Sequence, residues 1–510
     1  MQHHGSKVGT VYLVGAGPGD PGLITLRGVR CLRRARLVLY DYLVNPALLE
    51  YAPPGVEAIC LGHHTTQRLM PQEEINARMI DAARQGKTVV RLKGGDPDLF
   101  GRSADETRAL CAAGIPFETV PGVTAALAAA GYAGIPITHA DHSSAVALVT
   151  GQERHGKGGP PLDYEALADF PGTLIFYMGV TSAQHWSEAL LRRGKPPDTP
   201  VAIVRRCSWS DQLTVRTTLG TLSDVIARRG LRPPAVIIVG KVASLAPEVS
   251  WFAARPLFGT RVLVTRPRRQ AGLLCEQLTE LGAAVQIQPA IRISEPADWG
   301  PVDAALSRLD DYDWLVFSSA NGVRYLLDRL CEGRGDLRRL GRVKLAAIGP
   351  GTAEELARYR LRADLVPDEY RAEALASALA GEATRRRFLL ARASRGREVL
   401  VEELSAAGGA VDQVVVYTSS DVESADPQVA AALAAGRIDW ITVTSSAIAR
   451  SLVGLFGEDL RRANLASISP VTSEVLRQLG YEPAVEAARY TMPDLVEVIA
   501  GANREGEGEG

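Results

Sequence analysis

Short apolar runs alternate with amphipathic stretches through the first half of the chain. Runs such as VYLVGAG, ARLVLYD, TVVRLKGGD and GTLIFYMG have the pattern of buried strands, and QEEINARMIDAARQG between two of them has the period of a helix. This alternation is typical of α/β domains with mainly parallel strands. The chain has 510 residues, which is too many for one ordinary core. We therefore predict at least two α/β domains.

The alternating pattern is interrupted between residues 245 and 257. The sequence around it, SLAPEVSWFAARPLF at 244–258, carries two prolines and has no clear period, and a new strand pattern, GTRVLVTRP, begins at Gly259. We predict a first domain over residues 8–246, a linker over 247–258 and a second domain over 259–501. The acidic, glycine-rich residues 502–510 are predicted to be a disordered tail.

The second half of the chain contains two pairs of similar segments. Residues 313–327 resemble residues 439–453, and residues 343–359 resemble residues 465–480. Each segment has the pattern of a strand, a turn of small residues and a helix. Two similar α/β lobes are the simplest physical interpretation, and a cleft between such lobes is a natural ligand site.

Composition excludes several classes of function. The net charge of -1 provides no basic surplus for binding nucleic acid. No apolar run approaches the roughly 20 residues that span a bilayer, and the first residues lack the apolar core of a secretory signal. The six cysteines form no C-x-x-C pair, and the adjacent His63 and His64 lack metal-ligand spacing. We expect a cytoplasmic protein with reduced cysteines, no metal, no nucleic acid and no membrane.

Three loops rich in small residues follow strand patterns in the first half. They are VGAGPGD at 14–20, RLKGGDP at 91–97 and VPGVTAA at 120–126. Open parallel sheets bind ligands beyond the carboxyl ends of their strands, so the three loops are expected to converge there. Gly95 and Ala125 leave room for a ligand, and Asp96 is placed to meet a cation or a hydroxyl. The first loop alone is equally typical of a plain strand-to-helix turn.

Taken together, the motifs of the first half resemble those of the uroporphyrinogen III C-methyltransferase family. The resemblance covers residues 8–250 and rests on VGAGPGDPGLITLRG, YDYLV, PQEEIN, VRLKGGDP, VPGVTAA and YAGIPITH. It implies a tetrapyrrole methyltransferase fold of two α/β subdomains, S-adenosylmethionine as cofactor and a homodimer. The residues that it places at the cofactor are Pro18, Gly94, Gly95, Asp96, Leu99, Thr124, Ala125, Met178 and Cys207.

The same resemblance implies residues for catalysis and for substrate binding. Asp41 falls at the family's proton acceptor, although an Asp after a strand is also typical of a helix cap. His63 stands where the family has a proton-donating lysine, and histidine can also donate a proton. Cys207 and Asp98 replace a glycine and an aromatic residue of the family pattern. The substrate is an octacarboxylate macrocycle, and Arg102, in the GGDP region, is the first candidate to bind it.

The second half resembles uroporphyrinogen III synthase over residues 259–500. The motifs are VLVTRP, DWLVFSSANGV, AAIGPGTAEEL, VVVYTSS, DWITVTSSAIA and SISPVTSEVL. The resemblance implies a bilobal α/β fold, with lobe one formed by residues 259–290 plus 418–501, lobe two by residues 293–416, and a hinge at the two crossovers. It also implies hydroxymethylbilane as substrate and no cofactor, with catalysis mainly by positioning the linear tetrapyrrole.

Hydroxyl-bearing residues are the candidates for the second site. Tyr417 matches a family tyrosine and is expected to assist departure of hydroxide as a hydrogen-bond donor. Ser469 replaces a glycine of the family pattern. Serines and threonines of strand-end loops are expected to bind carboxylates, although each alone is also typical of a turn or cap. These are Thr265, Ser318, Ser319, Thr352, Ser445, Ser446 and Thr472.

The resemblances together predict a bifunctional enzyme of tetrapyrrole biosynthesis. It would cyclise hydroxymethylbilane to uroporphyrinogen III with ring D inverted, and then methylate that product twice to give precorrin-2. An alternative is a methyltransferase whose second half is a non-catalytic module for macrocycle binding or assembly, which the Ser469 replacement permits. A methyltransferase for a later corrin intermediate is disfavoured, because its substrate would not be the product of the fused synthase.

Overall fold

A computed structural model describes residues 8–62, 70–153, 161–247, 250–332, 335–396 and 398–507. The chain divides into two compact units, with the boundary between Gly259 and Thr260. The sequence placed the start of the second domain at Gly259, within one residue of this division.

The first sheet of the first unit is parallel. Its strands are β1 (Val11–Gly15), β2 (Leu37–Tyr40), β3 (Glu57–Cys60), β4 (Val89–Lys93) and β5 (Phe117–Val120), in the order β3-β2-β4-β1-β5. The helices that accompany them are α1 (Leu26–Leu32), α2 (Gln72–Arg84), α3 (Ser103–Ala112) and α4 (Ala125–Ala133). Because β4 and β1 are neighbours at the centre, the loops that follow them meet at one edge of the sheet.

The second sheet of the first unit is mixed. Its strands are β6 (Val146–Thr150), β7 (Thr173–Tyr177), β8 (Pro200–Arg205), β9 (Leu213–Thr218) and β10 (Ala235–Val239), in the order β6-β7-β10-β8-β9. Its helices are α5 (Tyr164–Asp169), α6 (Ala183–Arg192) and α7 (Leu222–Arg228). Only the β6–β7 pair is parallel. The expectation of mainly parallel strands is therefore wrong for this sheet, because apolar runs do not distinguish strand directions.

Residues 247 and 250–258 of the predicted linker are a folded part of the first unit. Phe252 and Leu257 are buried, and the Tyr132 ring lies 4.7 Å from that of Phe252 and 5.2 Å from that of Trp251 between centroids. The Trp251 Nε1 also donates to the carbonyl of Gly131 at 2.8 Å. The linker prediction is wrong because it relied on the absence of a regular period and gave too little weight to the aromatic residues. Residues 248 and 249 lie outside the described part.

The second unit contains two sheets. The first joins β11 (Arg261–Val264), β12 (Ala284–Ile287), β18 (Trp440–Val443), β19 (Asn464–Ser467) and β20 (Val485–Glu486), in the order β12-β11-β18-β19-β20. The second joins β13 (Ile291–Ser294), β14 (Trp314–Phe317), β15 (Lys344–Ala347), β16 (Arg387–Ala393) and β17 (Ala410–Asp421), in the order β13-β17-β16-β14-β15. Each sheet, with its helices, forms one lobe.

Helices flank both sheets of the second unit. Those of lobe one are α8 (Arg268–Glu280), α14 (Pro427–Ala434), α15 (Ser446–Phe456), α16 (Pro470–Gln478) and α17 (Met492–Glu507). Those of lobe two are α9 (Gly300–Ser307), α10 (Ala320–Cys331), α11 (Pro350–Arg358), α12 (Ala372–Ala380) and α13 (Val399–Ala406).

The boundaries between the lobes differ slightly from the prediction. Strand β17 continues to Asp421, where it pairs antiparallel with β13. Residues 418–421 and 291–292 therefore belong to the sheet of lobe two, not to lobe one or the link. The two crossovers thus lie side by side and hydrogen-bond to each other.

The similar segments of the second half fold alike. Asp313 and Asp439 each accept a hydrogen bond from the backbone N–H of a neighbouring strand, at Arg387 and Arg261. Residues 313–327 and 439–453 then each form a strand followed by a helix, β14–α10 and β18–α15. The repeat inferred from the sequence is thus a repeat of structure.

The predicted disordered tail, residues 502–510, is helical as far as Glu507. Asn503 accepts a hydrogen bond from the Thr260 hydroxyl at 3.2 Å, which fixes α17 to the start of β11. The prediction is wrong for 502–507 because composition was weighed without this contact, and residues 508–510 lie outside the described part. Across the described ranges, no helix is both long and apolar enough to cross a membrane.

Candidate active sites

The three predicted loops of the first unit lie together and are joined through their backbones. The Ala16 N–H donates to the carbonyl of Lys93 at 2.8 Å, and Gly17 and Gly95 exchange hydrogen bonds of 3.2 and 2.8 Å. We call residues 15–20, 93–98 and 120–125 the loop cluster. The Ala16–Lys93 hydrogen bond lies directly beyond the parallel β1–β4 pairing, and Gly17 and Gly95 then form an isolated antiparallel bridge.

Two glycines allow the loops of the cluster to approach one another. A Cβ atom on Gly122 would lie 2.3 Å from the Gly95 carbonyl oxygen, and one on Gly15 would lie 2.6 Å from the Cα of Gly122. Gly95 is different: its φ is +70°, and the nearest atom to an added Cβ is 3.8 Å away. Gly15 and Gly122 therefore serve packing, and Gly95 leaves a space beside the loops.

The carboxylate of Asp96 joins two loops, because both of its oxygens accept hydrogen bonds from the backbone. One oxygen accepts from the backbone N–H of Gly122 at 3.0 Å, and the other accepts from the N–H of Asp98 at 2.9 Å. Each oxygen retains a lone pair, so the carboxylate can still accept from a ligand hydroxyl.

Residues of both sheets meet beside the loop cluster. The hydroxyl of Tyr177, at the end of β7, lies 2.6 Å from the Thr124 hydroxyl and accepts from the N–H of Ala126 at 2.9 Å. Its ring contacts Phe100, with the centroids 5.1 Å apart. The next residue, Met178, has a φ of 51° and an exposed side chain. Exposed apolar side chains on strained backbone are typical of ligand sites.

Residues 206–212, of which the sequence had placed only Cys207 at the cofactor, hold the first loop in place. The indole of Trp209 donates to the Pro18 carbonyl at 3.1 Å, and the Ser208 hydroxyl accepts from the N–H of Asp20 at 3.0 Å. An added Cβ on Gly19 would lie 2.5 Å from the Trp209 ring. The only signal was the presence of a Trp near predicted cofactor residues.

Cys207 lies in this segment with its thiol buried. Its Sγ contacts the carbonyl of Ala125 at 3.8 Å, and burial raises the pKa of the thiol to about 12. The thiol is therefore neutral and serves as a small apolar group against the start of α4.

Asp41 is held at the end of β2 by a buried charge network. Its carboxylate accepts from Arg91 Nη2 at 2.5 Å and from the N–H of Gly94 at 3.3 Å, and its side chain is 31% exposed. Arg91 Nε also donates to Glu106 at 2.9 Å, and Lys93 Nζ donates to Glu106 at 2.7 Å. Asp41 is thus held in a fixed orientation by the network, while part of its side chain remains exposed.

The network changes the ionisation of its two cations. Burial alone lowers the pKa of Arg91, but the charges of Asp41 and Glu106 outweigh this and raise it. Burial and the charge of Arg91 lower the pKa of Lys93, and Glu106 opposes that shift. Arg91, Lys93 and Glu106 were not singled out from the sequence, because a charged residue inside a strand pattern does not identify its partner.

The other arginine and histidine candidates have varied outcomes. Arg102 has a φ of 58°, is largely exposed and pairs with Asp105. Leu99 lies half-buried in the turn after the second loop of the cluster. His63 lies outside the described residues, directly after Gly62 at the end of β3.

In the second unit, Tyr417 lies on β17 of lobe two, near the end of that strand. It is 7% exposed, and its hydroxyl lies 3.1 Å from that of Ser319. Burial raises the pKa of this phenol, and hydrogen bonding by Ser319 and Asn321 opposes the rise. Tyr417 is therefore a neutral hydrogen-bond donor at physiological pH.

The predicted serines divide into helix caps and neighbours of caps. Ser319 accepts from the N–H of Gly322 at 3.1 Å, and Ser445 accepts from the N–H of Ile448 at 3.2 Å, so each caps its helix. Ser318 and Ser446 lie beside them and are half-buried. Helix N-termini of this kind, α10 and α15, favour anionic groups.

The predicted threonines are buried, which argues against direct contact with substrate. Thr265 is fully buried and donates to the carbonyl of Thr442. Thr352 and Thr472 are also buried in the first turns of α11 and α16. Substrate contact by these hydroxyls stays a prediction that their burial disfavours, because the sequence does not show which way a threonine points.

Ser469, the departure from the family pattern, fits its position. It caps α16 by accepting from the N–H of Thr472, and its φ of −165° is extended backbone that any residue adopts. Gly349 begins α11 in a similar extended conformation, with a φ of −175°. Replacing glycine by serine here adds a cap and requires no change of the loop.

Comparison with known proteins finds two matching family models, one within each unit. The family of tetrapyrrole (corrin/porphyrin) methylases matches residues 10–223, and uroporphyrinogen-III synthase HemD matches residues 273–497. A relative from Ruminiclostridium josui, the porphyrin biosynthesis protein HemD, is 34% identical over 501 residues, covering 97% of this chain and 99% of that protein.

Two further relatives match the first unit or extend beyond it. The uroporphyrinogen-III C-methyltransferase of Bacillus subtilis is 38% identical over 351 residues, which are 69% of this chain and 71% of that protein. The solved structure of uroporphyrin-III C-methyltransferase from Thermus thermophilus complexed with S-adenosyl homocysteine is 39% identical, covers 46% of this chain and 93% of its own, and has a TM-score of 0.40.

Fold and sequence together define an α/β protein of tetrapyrrole biosynthesis with a methylase unit followed by a synthase unit. The chain belongs to the family of porphyrin-biosynthesis proteins that join a tetrapyrrole methylase to a uroporphyrinogen-III synthase.

Proposed function

We propose that the chain converts hydroxymethylbilane to uroporphyrinogen III and then methylates that product twice, giving precorrin-2. The observation that carries the proposal is the loop cluster beside an oriented Asp41 in one unit, together with the buried Tyr417 beside the helix-capping Ser319 in the other. The product of the second unit is the substrate of the first, which explains why the two activities share a chain.

The loop cluster fits S-adenosylmethionine, which supplies an electrophilic methyl group when bound. Gly95 leaves a space that a Cβ would fill, and the exposed side chain of Met178 provides an apolar surface. The carboxylate of Asp96 is available to a hydroxyl. The residues that would hold the cofactor are Pro18, Gly94, Gly95, Asp96, Leu99, Thr124, Ala125, Met178 and Cys207. The homodimer that the resemblance implies stays a prediction.

Asp41 acts as the proton acceptor of methylation. Addition of a methyl group to a pyrrole carbon gives the macrocycle positive charge, which a fixed carboxylate stabilises before it accepts the proton. Arg91 and the N–H of Gly94 hold the carboxylate in place, so no reorganisation is needed at that moment. His63 is the proposed proton donor.

In the second unit, the lobes hold the linear tetrapyrrole in the shape that inverts ring D. Tyr417 donates a hydrogen bond to the departing hydroxide, and the capped N-termini of α10 and α15 bind carboxylates. Positioning accounts for most of the catalysis, because this leaving group departs readily. We propose no cofactor for this step.

The test of both activities is product analysis of the whole chain supplied with hydroxymethylbilane. Without S-adenosylmethionine, we expect uroporphyrinogen III; with it, we expect the dimethylated product. Production of the type I isomer alone by the folded protein would refute the synthase. Failure to methylate added uroporphyrinogen III would refute the methyltransferase independently.

Replacing Tyr417 by phenylalanine should lower the rate of type III isomer formation by at most about a hundredfold, since general-acid assistance is typically worth 10² or more and this leaving group needs little. The measurement is the rate and the ratio of type III to type I product. Tyr325→Phe is the matched control, because its ring stacks on Tyr417 at 5.8 Å between centroids. Equal rates for wild type and Tyr417→Phe would exclude the proposed role.

A further inference from the structure

Arg266 lies two residues after the end of β11, and the hydrogen-bond partners of its guanidinium are neutral. Its Nε is shielded from solvent and has no hydrogen-bond partner. Its Nη1 contacts the Met492 sulfur at 3.5 Å, and its Nη2 donates to Gln270 Oε1 at 3.3 Å. Among the described residues, no carboxylate pairs with it.

Such an arrangement is costly for the folded protein. A cation that leaves water without a counter-ion loses hydration that neutral partners do not replace, and burial accordingly lowers the pKa of Arg266. Other arginines of this unit do have carboxylate partners, as in Arg329–Asp303 and Arg489–Asp494. An uncompensated charge of this kind is expected where a ligand supplies the missing anion.

The position of Arg266 relates it to the candidate active site of the synthase. Gln270, on α8 of lobe one, donates through Nε2 to Asn321 Oδ1, on α10 of lobe two, at 2.7 Å. Asn321 in turn acts on the hydroxyl of Tyr417. Arg266 is therefore linked to Tyr417 through two side chains that bridge the lobes.

The surroundings of Tyr417 are also cationic. The charges of Arg324 and Arg395 both act to lower the pKa of the phenol. Arg395 donates to Asp421 but, like Arg266, has one nitrogen, Nη2, that is shielded from solvent and unpaired. Arg324 and Arg395 thus place positive charge near Tyr417, which suits a ligand with several negative groups.

We propose that Arg266 binds a carboxylate of the linear tetrapyrrole and positions the chain for ring closure. This inference rests on the synthase activity proposed above. The planar guanidinium provides two parallel N–H donors that match a carboxylate, and Nη1 and Nη2, whose partners are neutral, are the donors that a carboxylate can take over. A bound carboxylate supplies the missing counter-ion. Binding therefore relieves the unfavourable free energy of the unpaired guanidinium, and this gain contributes to the affinity for the substrate.

The first test is kinetic and uses the full chain. Arg266→Gln removes the charge, and we expect KM for hydroxymethylbilane to rise about tenfold to a hundredfold, as for loss of a charged hydrogen bond. We expect kcat to change much less, since Tyr417 is untouched. Arg266→Lys keeps the charge without the fork and should recover part of the loss. Arg362→Gln, at an exposed arginine of the same unit, should match wild type.

The second test measures binding without turnover, using a stable octacarboxylate porphyrin as probe. The probe should raise the unfolding temperature of wild type and of Arg362→Gln, and have little effect on Arg266→Gln. Without probe, Arg266→Gln should be as stable as wild type or more stable, because an uncompensated charge is removed. A structural arginine would instead lose stability on substitution.

The outcomes separate this inference from the proposed function. Unchanged KM and unchanged probe binding in folded Arg266→Gln would overturn the role of Arg266, while type III product from wild type would leave the synthase standing. An equal stabilisation of wild type by inorganic phosphate would overturn the tetrapyrrole assignment in favour of a general anion site. If wild type yields no type III isomer, the synthase fails and the porphyrin probe alone decides what Arg266 binds.

Discussion

Asp41→Asn is expected to lower the rate of methyl transfer to uroporphyrinogen III by about 10²–10⁴-fold, the range typical of a lost general base. The amide has nearly the same shape but neither accepts the proton nor opposes positive charge on the macrocycle. Affinity for S-adenosylmethionine should change little, because the interaction with Asp41 is made in the transition state. Single-turnover methylation and calorimetric titration of the cofactor measure the two effects.

The fold of the Asp41→Asn protein should survive, since Arg91 keeps Glu106 as a counter-ion and Asp41 is partly exposed. Asp81→Asn is a suitable control, because Asp81 is an exposed carboxylate on α2 and lies outside the loop cluster. We expect near wild-type methylation from that control. Near wild-type methylation from a folded Asp41→Asn protein would make Asp41 a structural residue.

The loop cluster could be predicted because it is formed by small residues that follow buried strands, and this pattern is visible in the sequence. Glycines after buried strands imply backbone approach, and parallel strands bring their carboxyl ends to one edge. The sequence also indicated that Gly95 leaves room. It did not show that Gly15 and Gly122 are needed for contact between the loops, because that depends on which strands are neighbours.

Partners distant in the sequence could not be predicted. The pairing of Asp41 with Arg91 spans 50 positions, and the contact of Trp209 with Pro18 spans 191. Neither has a local pattern, since the partner is determined by sheet order and by the packing of the two subdomains. The directions of the threonine hydroxyls in the second unit were missed for the same reason.

The predicted linker shows how composition can mislead. Prolines and the lack of a period suggested a linker, but Trp251 and Phe252 pack on Tyr132, whose hydroxyl donates to Asp20 of the loop cluster at 2.6 Å. A segment taken for a spacer thus supports the predicted cofactor site. Aromatic residues within an irregular stretch are a signal of packing that the proline count concealed.

Glu106→Gln is expected to destabilise the first unit by about 3–5 kcal/mol, the usual cost of removing one partner from a buried ionic network. Glu106 is fully buried and is the counter-ion of both Arg91 and Lys93. Urea unfolding of the full chain measures the loss, with hydrogen exchange of residues 89–93 assigning the transition to this unit.

Asp105→Asn is the matched control, because Asp105 precedes Glu106 in the same first turn of α3 and also pairs with an arginine, Arg102. That pair is exposed, so its loss should cost only about 0–1 kcal/mol. The comparison cancels the effect of the helix dipole and leaves burial as the difference. Equal losses for both variants would mean that the network contributes no more than a surface ion pair.

The loss caused by Glu106→Gln should also shrink as the pH rises from about 7 to about 9.5, approaching the ordinary lysine pKa. Burial and Arg91 lower the pKa of Lys93, and Glu106 is the first group that opposes them, so its removal lowers that pKa further. The folded variant then binds fewer protons than the unfolded chain, and stability rises with pH wherever that is so. The Asp105→Asn control should show no such recovery. If the loss of stability in Glu106→Gln does not depend on pH, Lys93 remains charged in the variant. The unpaired cation is then accommodated by rearrangement of the surrounding structure and not by loss of its proton.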